Sequence, residues 1–338
     1  MNVLFGTGFS VQPKIIEHFK NTDKNGLKFI VPENYDEETL LKYAPETDIL
    51  IKESVSKEFL DQAPNLKHIQ IPWTGSDRIN FELLKNYQNI TLSNSHSNSL
   101  TIAEHAVALL FAVAKQINYR DSYMRKGDWY TRYERINNSF PLVGKTVGII
   151  GYGAIGQKTA KMLKHGFDMN VLAIKRNPSS CPPDGVYDYL GGMDDISKVL
   201  QESDFIIVAV PLTGETKGLI GKEQFKVMKE GAIIVNIARG PIIDEEALYE
   251  FLKAKKGYAG IDVWYNYPER QNTQDPTKKT ETKQNYPFEE LENIIMSPHS
   301  AFKVGDIGMK TAVDIIKNLE LLSKGSSPIN LLNQELGY

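Results

Sequence analysis

Six consecutive residues have the spacing of a phosphate-binding loop: Gly151-Tyr152-Gly153-Ala154-Ile155-Gly156. A short apolar run precedes them and helix-forming residues follow, which is the context that gives a G-x-G-x-x-G pattern its meaning. Gly151 then permits a tight turn, Gly153 lets the backbone approach a pyrophosphate, and Gly156 allows the helix to pack closely on the strand. The N–H groups of Ala154 and Ile155 open that helix and attract phosphate. The pattern predicts a dinucleotide site, the alternative being an α/β turn without a ligand.

Two basic residues, Lys175 and Arg176, follow the next apolar run of the chain, residues 170–174. Sites that prefer NAD place an Asp or Glu there, which binds the 2′-hydroxyl of the ribose. A carboxylate would repel a 2′-phosphate, whereas Lys and Arg attract it. We therefore predict that NADP(H) is preferred and that NAD(H) is possible. The alternative is that the two side chains only solvate the end of a strand.

Arg239 and His299 are the side chains best placed to act on a substrate, because each comes just after an apolar run. An arginine can hold a carboxylate through two parallel hydrogen bonds. A histidine, with an ordinary pKa of about 6.5, can both donate and accept a proton at neutral pH. The two residues indicate chemistry on a small carboxylic acid, unless Arg239 is a surface residue and His299 a structural one.

Thr74 and Gly75 form part of a turn of small residues that follows the apolar run 68–71. In open α/β sheets, ligands bind at the carboxyl ends of parallel strands. The backbone N–H groups of this turn could therefore hold a carboxylate. A plain turn between strand and helix is an equally good interpretation of the local sequence.

These candidates need strands that end at a common edge, and the chain has the pattern for two such sheets. Short apolar runs alternate with helical patterns throughout, as in parallel α/β units. Residues 101–117 predict an apolar helix buried at a domain or subunit junction, and His105 on it is interpreted as a packed histidine. The predicted strands are 3–5, 28–31, 48–51, 68–71 and 90–92, then 146–150, 170–174, 205–210, 232–236, 259–263 and 294–296.

The bulk properties restrict the class of protein. A length of 338 residues suggests about two domains. The net charge of −3 gives no electrostatic argument for nucleic acid or an anionic membrane as a partner. The longest apolar run on a helix, residues 106–114, is shorter than the ~20 residues that a membrane span needs. With a single cysteine, Cys181, and no evident metal-ligand set, we expect a soluble cytoplasmic protein without a metal.

Six short stretches of the chain occur in the order of one enzyme family. They are IAEH (102–105), LVGKTVGIIG (142–151), PLTGET (211–216), VNIARG (235–240), GIDV (260–263) and SPH (297–299). Through them the chain resembles the D-isomer-specific 2-hydroxyacid dehydrogenases, in particular the glyoxylate/hydroxypyruvate reductases and phosphoglycerate dehydrogenases. The resemblance covers nearly the whole chain, and several stretches in register make it specific.

The resemblance implies an α/β fold of two Rossmann-like domains with parallel sheets and a cleft between them. The dinucleotide-binding domain, residues 102–298, would be inserted between the two parts of a flavodoxin-like substrate domain, residues 1–101 and 299–338. The nicotinamide would lie with its carboxamide near Asp262, and the backbone at Pro211 and Ile237 would line its pocket.

The resemblance also implies a reaction, the reduction of a small 2-oxo acid to a D-2-hydroxy acid by hydride transfer. Arg239 would hold the carboxylate of the substrate and polarise its ketone, and the turn Thr74-Gly75 would donate backbone hydrogen bonds to the same carboxylate. His299 would protonate the carbonyl oxygen as hydride reaches C2. Glyoxylate and hydroxypyruvate are the first substrates to expect, because a cleft closed around one carboxylate suits small acids.

The chain departs from the family at Tyr267, where a glutamate that hydrogen-bonds the catalytic histidine is expected. A carboxylate beside an imidazole favours its charged form, whereas a phenol supplies no charge. Three explanations are open: Tyr267 orients His299, Glu269 or another acid of the polar segment 265–287 replaces the glutamate, or catalysis has been lost. We favour the first, in which Tyr267 takes part in catalysis and the pH profile is shifted to acid.

Other classes of function remain to be weighed. The departure at Tyr267 motivates a non-catalytic protein that senses a dinucleotide, although such a protein would need neither Arg239 nor His299. A formate- or phosphite-type dehydrogenase is a third possibility on the same fold. By analogy with the family we expect a homodimer. The physiological acid, the direction of the reaction and the role of segment 265–287, functional or disordered, do not follow from the residues.

Overall fold

The computed structural model of the chain describes residues 1–7, 13–21, 26–133, 139–268, 282–305 and 307–338. Glu269 and most of the polar segment 265–287 lie outside these residues. The chain divides into two compact units, each described separately below. Unit 1 comprises Met1–Ser99 and Lys303–Tyr338, and unit 2 comprises Leu100–Phe302.

Unit 1 contains a five-stranded sheet in which every pair of neighbouring strands is parallel. The central strands are buried along their whole length, as expected for a parallel sheet covered by helices on both faces. The strand order is β2-β1-β3-β4-β5. The strands are β1 (Asn2–Phe5), β2 (Lys28–Ile30), β3 (Ile49–Ile51), β4 (His68–Gln70) and β5 (Thr91–Ser93).

The last helix of the chain completes the core of unit 1. Its buried residues Ala312, Ile315 and Leu319 join a cluster with Val3 and Phe5 of β1. After this helix, the chain returns to the edge of the sheet and forms an antiparallel bridge to β5. The helices of unit 1 are α1 (Pro13–Asn21), α2 (Glu37–Leu41), α3 (Lys57–Gln62), α4 (Phe81–Leu84) and α12 (Ile307–Ser323).

A buried polar network ties the same helix to the strands. The imidazole of His68 lies 2.8 Å from the hydroxyl oxygens of both Thr91 and Ser93. Burial lowers the pKa of His68 to about 3, so the ring is neutral at pH 7 and can both donate and accept a hydrogen bond. Asn318 of α12 donates to Gln70 Oε1 at 2.9 Å. The buried polar groups are thereby satisfied by one another.

Unit 2 contains a seven-stranded parallel sheet in the order β12-β11-β10-β9-β6-β7-β8. The order reverses at β6, which pairs with β7 on one side and β9 on the other. In doubly wound sheets the crevice at such a reversal is where a dinucleotide binds. The strands are β6 (Thr146–Ile150), β7 (Asn170–Ile174), β8 (Tyr189–Gly191), β9 (Phe205–Val208), β10 (Ala232–Asn236), β11 (Gly257–Ile261) and β12 (Ile294–Met296).

Helices cover both faces of this sheet and form two separate apolar clusters. The predicted α/β class with two parallel sheets is therefore confirmed. Strand β8 and several helices were not predicted from the sequence. The helices are α5 (Ser99–Ala114), α6 (Ile117–Met124), α7 (Tyr130–Tyr133), α8 (Ala154–Phe167), α9 (Ile196–Glu202), α10 (Lys222–Val227) and α11 (Glu245–Lys253).

Among the described residues, no single helix has both the length and the apolar composition needed to cross a membrane. Helices α5 and α6 meet that criterion only as a pair, and they are bent by 61° at the break between them.

Candidate active site

The glycine loop between β6 and α8 gives its three glycines two different roles. A Cβ on Gly151, whose φ is +109°, would lie 2.6 Å from the backbone of Ala209. A Cβ on Gly156 would lie 2.1 Å from the carbonyl oxygen of Gly151. Gly153, by contrast, is exposed at the N-terminus of α8 and faces open space. Two glycines therefore shape the loop, and the middle one leaves room where a pyrophosphate would approach.

Tyr152, the residue between the first two glycines, anchors the loop to the core of unit 2 through its buried side chain. Its side chain is fully buried, and its hydroxyl donates to Asp184 Oδ2 at 2.6 Å. Burial and this hydrogen bond raise the pKa of Tyr152, so the phenol remains a neutral donor. The edge of its ring packs against Tyr187, with centroids 5.4 Å apart. The buried side chain of Tyr152 thereby holds the loop in place.

Lys175 and Arg176, the predicted 2′-phosphate ligands, follow β7 beside this loop. The ammonium of Lys175 donates to the carbonyl oxygen of Tyr152 at 3.2 Å, so its charge lies at the loop. Arg176 Nη2 instead donates to Glu215 Oε2 at 2.7 Å. The structure thus places both cations at the carboxyl end of β7, and it adds an acidic partner that the sequence did not reveal.

Arg239 follows β10 on a turn that the side chain of Asn236 holds. Asn236 Oδ1 accepts from the N–H of Ala238 at 3.0 Å, and its Nδ2 donates to the carbonyl oxygen of Arg239 at 2.9 Å. A Cβ on the next residue, Gly240, would lie 2.4 Å from the carbonyl oxygen of Trp264. The turns after β10 and β11 therefore pack backbone to backbone, which only a glycine at 240 allows.

Asp262, at the end of β11, anchors the loop that carries His299. Its carboxylate is buried and accepts from the hydroxyl of Ser297 at 2.5 Å and from the N–H groups of Ser300 at 2.9 Å and Ala301 at 3.1 Å. Asp262 thus anchors the loop after β12. The sequence had placed it only near the carboxamide of the nicotinamide.

His105 of α5 joins this anchor. Its Nε2 lies 3.2 Å from Ser297 Oγ and 3.4 Å from Asp262 Oδ1. The sequence suggested a packed histidine, and the structure shows one that also supports the loop after β12. A buried carboxylate needs several donors or a cation, and here backbone, hydroxyl and imidazole groups surround it.

The backbone of His299 is in the left-handed region, with φ of +51°. Outside glycine such a conformation costs about 1–3 kcal/mol and persists where the surroundings impose it. The three donors to Asp262 impose it here, together with the indole of Trp264, which donates to the carbonyl oxygen of Ser297 at 2.8 Å. The strain fixes the direction in which the imidazole leaves the loop, as expected for a functional side chain.

Two aromatic rings flank the imidazole of His299. The Tyr267 ring lies with its centroid 5.5 Å away and the Phe302 ring 6.0 Å away. Both rings are nearly half exposed. The hydroxyl of Tyr267 accepts from the N–H of Trp264 at 3.0 Å, which fixes the ring beside the histidine. The structure therefore brings Tyr267 and His299 together, and it places Phe302 beside the same imidazole.

The remaining predicted residues lie where strands of either unit end. Pro211 follows β9 and is exposed, whereas Ile237 follows β10 and is buried. Thr74 belongs to unit 1, where its hydroxyl donates to Asn98 Oδ1 at 2.7 Å and its carbonyl oxygen accepts from Asn94 at 2.7 Å. The Thr74-Gly75 turn is thus fixed by neighbouring side chains.

Three supporting residues were given no role at the site from the sequence: His105, which was interpreted as a packed histidine, Glu215 and Phe302. His105 and Glu215 touch predicted residues that are far away along the chain, so no local pattern indicates their role. Phe302 was the residue whose contact with His299 could best have been predicted, because it is a large apolar residue only three positions further along the chain.

Comparison with known proteins gives a consistent picture. Residues 107–301, more than half of the chain, match the profile described as D-isomer specific 2-hydroxyacid dehydrogenase, NAD binding domain. The chain is 32% identical over 313 residues to a glyoxylate reductase of Pyrococcus furiosus, across 88% of this chain and 86% of that protein.

A second curated relative is longer than this chain. The D-3-phosphoglycerate dehydrogenase of Archaeoglobus fulgidus is 33% identical over 314 residues, which are 92% of this chain and 56% of that protein. The chain therefore spans about half the length of that relative. Among solved structures, an acyclic imino acid reductase in complex with NADPH and D-Arg is similar, with a TM-score of 0.79 and 27% identity across 98% of this chain and 100% of that one.

Proposed function

Because the chain belongs to the D-isomer specific 2-hydroxyacid dehydrogenase family, we propose that it reduces small 2-oxo acids to D-2-hydroxy acids. The observation that carries this proposal is the strained His299, held by Asp262 at the edge of the sheet that also carries the glycine loop. A protein that only sensed a dinucleotide would have no need to hold a histidine in this way. Glyoxylate and hydroxypyruvate are the proposed first substrates.

The residues of the chain then have separate tasks. Arg239 binds the carboxylate of the substrate through its planar guanidinium and polarises the neighbouring ketone. His299 donates a proton to the carbonyl oxygen and takes it back in the oxidative direction. Asp262 holds the His299 loop, and the Thr74-Gly75 turn adds backbone N–H groups for the carboxylate. A reduced nicotinamide coenzyme, when bound, supplies the hydride to C2.

The glycine loop suits such a coenzyme, because Gly153 leaves the ligand side of the loop open. In this proposal Gly151, Gly156 and the N–H groups of Ala154 and Ile155 form the pyrophosphate site. The backbone at Pro211 and Ile237 and the carboxylate of Asp262 border the nicotinamide. In domain terms, residues 102–298 bind the dinucleotide, and residues 1–101 with 299–338 form the substrate domain.

NADP(H) is the proposed coenzyme, with NAD(H) as a weaker alternative. The support is the position of Lys175, whose ammonium lies at the glycine loop where a carboxylate would select NAD. The similar imino acid reductase was solved with NADPH bound.

The proposed function is tested by coenzyme consumption with a panel of 2-oxo acids that includes glyoxylate and hydroxypyruvate. We expect turnover of at least one acid, with kcat/KM higher for NADPH than for NADH. Oxidation of formate or phosphite in the reverse assay would instead indicate the third class of activity. Tight coenzyme binding without turnover of any acid would reject the reductase in favour of a sensor, and a preference for NADH would reject the coenzyme assignment.

Tyr267→Glu is expected to move the pH profile of reduction. A carboxylate in place of the phenol would favour the protonated imidazole of His299, which is the form that donates the proton. Reduction should therefore continue to a higher pH in the variant than in the wild type. Tyr267→Gln, which matches the glutamate variant in shape but carries no charge, is the matched control and should not extend reduction to higher pH. Identical profiles for the glutamate variant and the wild type would contradict a role of Tyr267 in setting the charge of His299.

A homodimer in the cytoplasm completes the proposal. The single Cys181 suits a reducing compartment. Helices α6 and α7 and their connection carry a cluster of exposed apolar and aromatic side chains, of the kind enriched at protein interfaces. They are Ile117, Met124, Trp129, Tyr130 and Tyr133. Light scattering that gave the mass of a monomer at micromolar concentration would reject the dimer.

A further inference from the structure

The ion pair between Arg176 and Glu215 links the two segments that flank the glycine loop. Arg176 follows β7 and Glu215 lies in the segment after β9, and both strands pair with β6. Ile150, the last residue of β6, lies opposite Ile174 of β7 and Val208 of β9, so the three strands end together. The pair therefore spans the edge of the sheet at which the glycine loop begins.

Glu215 is presented by a turn that is fixed from within. The hydroxyl of Thr216 donates to the carbonyl oxygen of Pro211 at 2.6 Å and accepts from the N–H of Thr213 at 2.8 Å. The N–H of Lys217 donates to the carbonyl oxygen of Thr213 at 3.0 Å. The side chain of Glu215 remains 68% exposed while its carboxylate reaches Arg176. The turn thus fixes the position of Glu215 at this edge of the sheet. Its exposed side chain can nevertheless release Arg176.

We propose that Glu215 determines coenzyme specificity by competing with the 2′-phosphate for Arg176. The inference rests on the proposed use of NADP(H), and it names a residue that opposes that preference. When the ribose carries only a 2′-hydroxyl, the carboxylate of Glu215 neutralises Arg176. A 2′-phosphate displaces the carboxylate, because a dianion with three acceptor oxygens can bind a guanidinium through two hydrogen bonds, whereas Glu215 is held through Arg176 Nη2.

The competition has a direct consequence for selectivity. Glu215 lowers the affinity for NADPH, both by occupying Arg176 and by repelling the phosphate. It has little effect on NADH, which brings no charge to this position. The exposed pair is easily broken, since solvent screens it and the glutamate regains its hydration. The ammonium of Lys175 contacts the glycine loop and not Glu215. In this proposal Lys175 therefore favours NADPH over NADH without competition from Glu215.

The test is a comparison of coenzyme dissociation constants, measured on the full chain by quenching of its fluorescence. Glu215→Gln is expected to tighten NADPH binding by about three- to fivefold, the effect of an exposed ion pair near the upper end of its range. NADH binding should change by less than about twofold. When Arg176 is already replaced by glutamine, Glu215→Gln should tighten NADPH binding less. Glu215 and the 2′-phosphate then no longer compete for the Arg176 guanidinium.

Glu223→Gln is the matched control, since Glu223 is also an exposed acid in an ion pair, with Lys226 at 2.6 Å. It should alter neither dissociation constant. Unchanged NADPH binding in Glu215→Gln would overturn the inference, and so would equal tightening of NADH, which would indicate a merely structural effect.

The failure of the underlying proposal has a different signature. Lys175→Gln should weaken NADPH binding by about tenfold, the effect of losing one charge-assisted contact to phosphate. If it leaves NADPH binding unchanged, the assignment of NADP(H) itself fails, and the competition with Glu215 fails with it. The dissociation constants are measured without turnover. If the protein proved not to reduce 2-oxo acids, the measurements would therefore still test the role of Glu215.

Discussion

Replacement of His299 by asparagine is expected to lower kcat/KM for 2-oxo acid reduction by about 10²–10⁴-fold, the usual contribution of a positioned general acid. Asparagine is the informative substitute because it tolerates the left-handed backbone that His299 adopts, with φ of +51°. The loop and its bonds to Asp262 should therefore persist while the transferable proton is lost. Coenzyme binding should stay within about twofold of the wild type, since the glycine loop lies after a different strand.

His165→Asn is the matched control for this experiment. His165 is an exposed histidine near the end of α8, so its loss should leave the activity and the coenzyme affinity unchanged. Activity of His299→Asn close to the wild type would show that another group donates the proton. It would also leave the strain at residue 299 without a functional explanation.

Replacement of Gly156 by alanine is expected to weaken coenzyme binding by about 100-fold, the penalty of displacing a binding element by about an ångström. The added methyl group would lie 2.1 Å from the carbonyl oxygen of Gly151 and 3.0 Å from the side chain of Ile149. Because the first of these neighbours is backbone, helix α8 and the glycine loop must move apart. We also expect a loss of stability of about 1–3 kcal/mol, as for other overpacked sites.

The same helix provides the control for this prediction. Gly166 lies near the end of α8, where an added Cβ meets nothing within 4 Å. Gly166→Ala should therefore keep coenzyme affinity and leave stability unchanged or slightly higher, by up to about 1 kcal/mol. Equal coenzyme affinity in Gly156→Ala and Gly166→Ala would contradict the role assigned to the glycine loop. Titration calorimetry and thermal unfolding measure the two effects.

The sequence predicts the fold well where a strand is a buried apolar run. Strands β6, β7 and β10 begin and end at the predicted residues, because both faces of an interior parallel strand are covered. The edge strand β12 also has its predicted bounds, although it is only partly buried. Strand β8 was missed because it is a three-residue edge strand that ends in glycine. Helix α6 was missed because it has no buried residue and therefore no apolar face to recognise.

The candidate site divides in a similar way. The glycine loop, Arg239, His299 and Tyr267 were found from local spacing and from the family resemblance, and the assignment to that family is confirmed. The bonds from Ser297, Ser300 and Ala301 to Asp262 join residues 35 to 39 positions apart. Only the pairing of β11 with β12 brings these segments together, so one sequence read locally cannot reveal them.

The discontinuity of unit 1 sets an order of events during synthesis. The sheet of unit 2 is built from one continuous stretch, so it can close while the ribosome is still adding residues. The core of unit 1 is completed only after unit 2 has been made, because Val3 and Phe5 pack against Ala312 and Leu319 of α12, which follows unit 2 along the chain. Until then, the apolar face of its sheet and the edge at β5 stay uncovered, and an uncovered sheet edge invites pairing with other chains. The nascent chain is therefore expected to be prone to aggregate until α12 and the segment that pairs with β5 have been made.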